Sequence, residues 1–306
     1  MKCFYADGFV LPLPAGHRFP MRKYSRLRER LLEQGIVRPE DFVVPTPASD
    51  AEILRCHDSA YLDKLIHGRL SDAEQRRIGF PWSPQMVERS RRSVGATLMA
   101  ARTALGGAGI AANLAGGTHH ACRDHGEGFC VFNDAAIAAR AMQAEGLAQR
   151  VIVIDVDVHQ GNGTAEITAG DSSIFTFSVH GEKNFPLRKV PGDLDIGLHE
   201  SITDDEYLDV VAEGTRRAIA MSSADFAVYI AGADPYEGDR LGKLKISKQA
   251  LSQRDALVLD LCAQHGIPVA VAMGGGYAPD VEDIVDIHLA TIQIASERAR
   301  LWTAHS

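Results

Sequence analysis

Residues 151–164 read VIVIDVDVHQGNGT: an apolar run that ends in Asp155, Asp157 and His159 and passes into a Gly-Asn-Gly turn. Alternate side chains of a strand share a face, so these three residues lie together while Val156 and Val158 face the other way. Three ionisable groups on one side of a buried strand end are costly unless they are paired or bind a metal. A divalent cation removes that cost. One imidazole with carboxylate oxygens, and no thiolate beside them, suits zinc or another first-row metal better than calcium or magnesium. Two carboxylates and one His leave a position open for water or substrate, and Asp157, His159 and Asp234 are the candidate ligands.

Other apolar runs end in the same way. GIAANL (109–114) leads to AGGTHHACRDHGEGFC with His119 and His120, SIFTFSV (173–179) to His180, FAVYIA (226–231) to Asp234, and PVAVAM (268–273) to GGGY with Tyr277. Alone, a His-His pair reads as surface or capping residues, GGGY as a turn and Asp234 as a helix cap. Five strand ends delivering imidazole, carboxylate or phenol together read as a site, because ligands of open α/β sheets gather at the carboxyl ends of strands.

The elements that must position these residues are legible. Continuous β-branched runs indicate parallel strands buried on both faces. Between them lie helices with marked ends: Asn133 or Asp134 capping a segment stopped by Gly146, Thr203–Glu206 as a capping box, and Ser247 opening a segment closed by Gly266. Strands alternating with helices predict an α/β fold, a single domain over 1–306 with a mainly parallel central sheet flanked by helices. The first hundred residues are more helical, with YSRLRERLLEQG and DAEILRCHDSAYLDKLIHG as candidate helices.

Composition narrows the function classes. A chain of 306 residues with 45% apolar and 24% charged residues buries roughly three quarters of its unfolded surface and needs no disulfides to hold a core. A net charge of −8 argues against direct nucleic-acid contact, and the basic run MRKYSRLRER (21–30) reads as a solvated helix face. Five cysteines, an odd number without a Cys-x-x-Cys pair, argue against a disulfide framework or thiolate zinc finger. No leader pattern or spanning apolar run is present, so no membrane contact and a cytoplasmic setting are expected.

GGTHHACRDHGEGFC, DVDVHQGNGT, AGADPYEGDRLG and GGGYAP, in that order, resemble the zinc-dependent histone deacetylases and their bacterial relatives of the arginase-like fold, over about residues 110–280. DVHQGNGT with EGDRLG looks most like the class IV subgroup, where Gln follows the ligand His. The resemblance implies one zinc held by Asp157, His159 and Asp234. It implies His120 as general base and then acid, His119 beside it paired with Asp155, and Tyr277 as donor to the scissile carbonyl oxygen. Gly128 and Phe129 match one channel wall, with His180 a further channel candidate. Asp155, Ser178 and the main chain of Asp157, His159 and Val179 match a structural potassium site. Asn162 stands where most of the family has a second Asp, so His120 is paired with a neutral amide.

The expected activity is hydrolysis of an acyl group, acetyl or longer, from the side-chain amine of lysine. Deacylation of small acylated amines such as acetylpolyamines shares every catalytic residue, and a non-catalytic acyl-lysine-binding module is disfavoured because all of them are present. A ureohydrolase would need the ligands of a second metal. No residue matches the acidic rim residue by which many relatives clamp a peptide backbone, and GFPWSPQM (79–86) is a candidate for an apolar rim. His17, His57, His67, His199, His265 and His288 read as solvated or capping, and Cys122 and Cys130 as packing residues.

Overall fold

The computed structural model describes residues 1–14 and 16–305. Its strands are β1 (Cys3–Phe4), β2 (Phe42–Val43), β3 (Ile110–Asn113), β4 (Val151–Asp155), β5 (Ile174–Gly181), β6 (Leu194–Leu198), β7 (Phe226–Gly232) and β8 (Val269–Gly274). They form one sheet in the order β2-β1-β3-β8-β7-β4-β5-β6, and every pairing is parallel. The helices are α1 (Arg22–Glu33), α2 (Asp50–Ile53), α3 (Ser59–Ile66), α4 (Asp72–Ile78), α5 (Pro84–Thr103), α6 (Asp134–Ala144), α7 (Asn162–Thr168), α8 (Asp204–Ser222), α9 (Lys248–Gln264) and α10 (Val281–His305).

Alternation along the central strands feeds two cores. Ile152 and Ile154 of β4 with Tyr229 of β7 join the layer carrying α1, α8, α9 and α10, while Val151 and Val153 with Val228 and Ile230 join the layer carrying α3, α5 and α6. A strand buried on both sides has no polar face to spare, which is why these segments read as unbroken apolar runs.

The five expected strands are β3, β4, β5, β7 and β8. Two-residue β1 and β2 are too short to show a period. β6 is an edge strand whose inner residues are partly exposed, so its LDIGL sequence lacks an apolar run. Asn133 caps α6, Thr203 and Glu206 form the capping box of α8, and Ser247 caps α9.

Three expectations change. The segment 50–68 is two helices, because the chain breaks around His57, whose buried ring donates to Cys122 O and accepts from the Asn133 N–H, both at 2.9 Å. His288 is also buried rather than solvated. The basic run at 21–30 is not merely a solvated face: Lys23 is 3% exposed, and Arg26 and Arg30 pair with Glu282 and Asp286 of α10.

Burial pushes the His57 imidazole down to about 4. The unfolded chain therefore binds a proton near pH 6.5 that the folded chain refuses, so this residue's support is complete above that value and is lost as pH falls toward 4. The shift corresponds to on the order of 3 kcal/mol. Gln can replace both hydrogen bonds without titrating. In urea unfolding, the stability of the wild type relative to His57→Gln is expected to fall between pH 7 and 4.5; a constant gap would contradict a neutral buried imidazole.

Candidate active site

Four strands adjacent in the middle of the sheet, β3, β8, β7 and β4, end at one point, where the order of connection reverses. Past β3, the loop to α6 carries His119 and His120. Asp134 braces that loop, accepting from the N–H groups of Gly117 (3.1 Å) and Thr118 (2.8 Å) and from the hydroxyls of Thr118 (2.7 Å) and Thr97 (2.6 Å). Past β4 come Asp157 and His159, past β7 Asp234, and past β8 the glycine turn before Tyr277.

Asp157, His159 and Asp234 are buried, and their donor atoms lie within 4.8 Å of one another. The His159 Nδ1 is 2.9 Å from Asp157 Oδ1 and 3.2 Å from Asp234 Oδ2. Asp234 Oδ1 accepts the Val158 N–H at 3.0 Å, whereas its Oδ2 is buried without an aligned donor. Burial alone would depress His159, but Asp157 and Asp234 override it and hold the ring up at about 10. Burial and the charge of Asp157 raise Asp234 to about 6. This is a pocket of negative potential with an orphaned oxygen, and it fits a divalent cation. Gly275, at φ +56°, makes room for it: a Cβ there would stand 2.2 Å from Asp234 Oδ2 and 2.7 Å from Asp157 Oδ2.

A second set of donors, Cys122, His125 and Glu127, also lies close together. Its chemistry is poorer, since burial and surrounding carboxylates push the Cys122 thiol up to about 12, and Glu127 and His125 are engaged by Asn162 and Asp124.

The tandem histidines differ in their partners. His119 Nδ1 meets Asp155 Oδ2 at 2.6 Å; burial opposes its charge, but Asp155 and Asp157 raise it to about 9. His120 Nδ1 meets Asn162 Oδ1 at 2.6 Å, and burial together with the neighbouring imidazoles holds this ring well below its ordinary value. Asn162 Nδ2 in turn donates to Glu127 Oε1 at 2.6 Å. Tyr277 is anchored through its own N–H, which donates to Asp239 Oδ2 at 2.6 Å. Burial and the Asp234 and Asp157 carboxylates push its phenol well above its ordinary range, so it stays a donor. Lys23 of α1 donates to the carbonyls of Gly275 and Gly276, pinning the turn from below.

A cleft of ≈ 530 Å³ opens over His120, His159 and Tyr277, and Gly128, Phe129 and Phe185 line it. The Phe185 ring stands perpendicular to His120 with centroids 4.9 Å apart. His180 does not line it. The strand β5 runs two residues past the expected end, so His180 is still paired within the sheet, opposite Gly197, with its Nδ1 2.9 Å from Ser178 Oγ. Of the segment 79–86, Gly79 reaches the cleft, whereas Trp82 turns away to donate to Leu65 O. Asp155 and Ser178 are cross-strand partners on β4 and β5 and share a small cavity.

Glu127, Asp239, Lys23 and Phe185 were not expected at the site. Glu127 and Asp239 lie inside the motifs GEGFC and EGDRLG, and their extra carboxylates were the available signal. Lys23 and Phe185 sit in segments without a motif.

The family model "Histone deacetylase domain" matches residues 17–292. Histone deacetylase 2 of Arabidopsis thaliana is 30% identical over 275 residues, covering 85% of this chain and 70% of that protein. An HDAC homologue from Aquifex aeolicus superposes with a TM-score of 0.84 at 20% identity, over 99% of this chain and 88% of that one. An acetylpolyamine aminohydrolase from Burkholderia pseudomallei does so with a TM-score of 0.79 at 20% identity, over 95% and 97%. At that identity the two structures speak for the fold.

Gly275→Ala is expected to displace Asp234 and weaken zinc affinity by at least tenfold in a chelator competition, as ligand-supporting positions do. Unchanged affinity would show that Asp157, His159 and Asp234 do not hold the ion together.

Proposed function

Because the chain belongs to the histone deacetylase family, we propose that it is a zinc-dependent deacylase that removes acetyl or longer acyl groups from the side-chain amine of lysine. The observation that carries this reading is the convergence of an orphaned, buried Asp-His-Asp cluster, a paired histidine and a half-buried phenol at the floor of one cleft.

Asp157, His159 and Asp234 would hold the zinc. When bound, zinc supplies Lewis-acid polarisation of the carbonyl and lowers the pKa of a water to about 7. Everything else is done by the chain. His120 takes a proton from the attacking water at Nε2 and returns it to the departing amine, a role typically worth ~10²- to 10⁴-fold. His119, pinned by Asp155, crowds His120 with ring centroids 4.1 Å apart and helps keep it neutral. Tyr277 donates its phenol proton's hydrogen bond to the carbonyl oxygen as charge develops there. Gly128, Phe129 and Phe185 sheathe the methylene stem of the substrate and exclude water. Asp155 and Ser178, with the main chain of Asp157, His159 and Val179, suit a monovalent cation such as potassium under the strand ends.

Glu127 adds something that the sequence did not suggest. The Asn162 amide could face His120 through either its oxygen or its nitrogen, since the two ends are nearly isosteric. A carboxylate only accepts, so Glu127 claims the NH₂ and leaves Oδ1 for His120. Nδ1 of neutral His120 must then carry the proton. Nε2 is left bare, as a base requires.

Two measurements test this reading. Zinc-loaded protein, assayed on one lysine peptide acylated with chains from acetyl to myristoyl, should turn over at least one of them and lose that activity with a chelator; chelator-insensitive turnover would sink the zinc reading. Glu127→Gln should lower kcat by about tenfold, because Gln tolerates the flipped amide and so the wrong His120 tautomer. In an Asn162→Asp background the same change should be neutral or favourable, since a carboxylate has no wrong face and no longer opposes Glu127. Equal losses in both backgrounds would refute the amide lock.

A further inference from the structure

The mouth of the cleft has the opposite sign to the molecule. The chain carries a formal charge of −8, yet Arg18, Arg76, Arg77, Lys183 and Lys243 line the cleft, with Glu127 as its one carboxylate. All five cations are exposed. They come from separate parts of the chain: the segment ahead of α1, the last turn of α4, and the loops after β5 and β7.

Little neutralises them. Among the described residues Arg18, Arg76 and Arg77 make no side-chain hydrogen bond or ion pair. Lys183 and Lys243 share one carboxylate, Glu200, at 3.8 Å each. Glu127 is turned inward onto Asn162. Asp124 feels the charge of Arg77 but is bonded to His125. The carbonyl end of α4 offsets part of the charge on Arg76 and Arg77. A net positive rim remains.

We propose that this rim selects acyl-lysines in an acidic sequence context, with Asp or Glu beside the modified lysine, and rejects polyamines and Lys- or Arg-rich segments. The inference rests on the deacylase reading above. An acyl-lysine that reaches the floor threads its methylene stem between Phe129 and Phe185, and its flanking residues then lie against the rim. Carboxylates there meet unpaired guanidinium groups. The second amine of an acetylpolyamine meets the same groups and is repelled. Each exposed pair contributes little, but a ring of one sign acts together on encounter and is screened by salt.

The test compares kcat/KM on three acetylated substrates: a lysine peptide flanked by Asp and Glu, the same peptide flanked by Lys and Arg, and an acetylpolyamine. At low salt the acidic peptide should lead by about tenfold, with the ratio falling toward about two near ~0.5 M salt. The double variant Arg76→Glu with Arg77→Glu should reverse the order of the two peptides. A basic peptide or a polyamine turned over as well as the acidic peptide would overturn the proposal, as would a ratio indifferent to salt or to the charge reversal.

Fluorescence anisotropy with the same two peptides, labelled, separates this inference from the reading beneath it. If nothing is turned over, the deacylase reading fails, while tighter binding of the acidic peptide still supports the rim. Equal binding overturns the rim as well.

Discussion

The structure is organised around negative charge that has been taken out of water. Asp155, Asp157 and Asp234 stand at the ends of two neighbouring central strands, each nearly inaccessible to solvent. Carboxylates in such a place survive when donors and cations surround them. Backbone N–H groups supply part of this: Asp157 N donates to Asp155, His159 N to Asp157 and Val158 N to Asp234. Imidazoles supply more, and the unmatched remainder is Asp234 Oδ2. Beneath the same strand ends the buried Arg254 donates to Gly232 O at 2.8 Å and pairs with Asp255. That ion pair, set in the opposite core, ties α9 to the end of β7. The sheet holds the site from below, and the donor set left on its open side fits a cation.

The same constraint explains the glycines and the short turns. Asp157 and Asp234 meet against the backbone of Gly275, where a Cβ would collide with both carboxylates. Lys23 from α1 pins the carbonyls of that turn while Asp239 takes the Tyr277 N–H. Residues more than two hundred positions apart thus fix one phenol. Rigid support of this kind is what keeps a donor aimed at the place where charge appears during reaction.

Much of this was legible in the chain. Parallel strands buried on both faces announce themselves as apolar runs, and the polar residues that break those runs at their ends mark the ligands; Asp157, His159 and Asp234 stand out for that reason. Helix caps at Asn133, Thr203 and Ser247 were equally plain, since their hydrogen bonds are local. What could not be read was anything decided by distance across the fold. Lys23 looks like one cation among many until α1 is laid against the turn after β8. His180 looks like a loop residue until β5 is seen to run on beside β6. Glu127 and Asn162 are 35 residues apart, and neither type nor spacing says that one amide joins them.

The floor and the rim of the cleft obey different physics, and this separates catalysis from choice of substrate. At the floor the histidines, the carboxylates and Asn162 are desolvated, so a misplaced proton or a flipped amide is costly and the arrangement admits few alternatives. At the rim the side chains are exposed, long and mobile, and each charge is weak and screened. On the proposed reading, a change there would alter which substrate arrives without disturbing the groups at the floor. The floor of the cleft gathers buried carboxylates in a donor set that fits a cation, and its mouth is basic although the chain as a whole is acidic. On the deacylase reading proposed above, a basic rim would attract the acidic neighbours of a neutral acyl-lysine and would leave the departing lysine ammonium facing a cationic exit. The same charges would then favour arrival of the substrate and oppose departure of the amine, and that balance would limit how strongly the rim can bind.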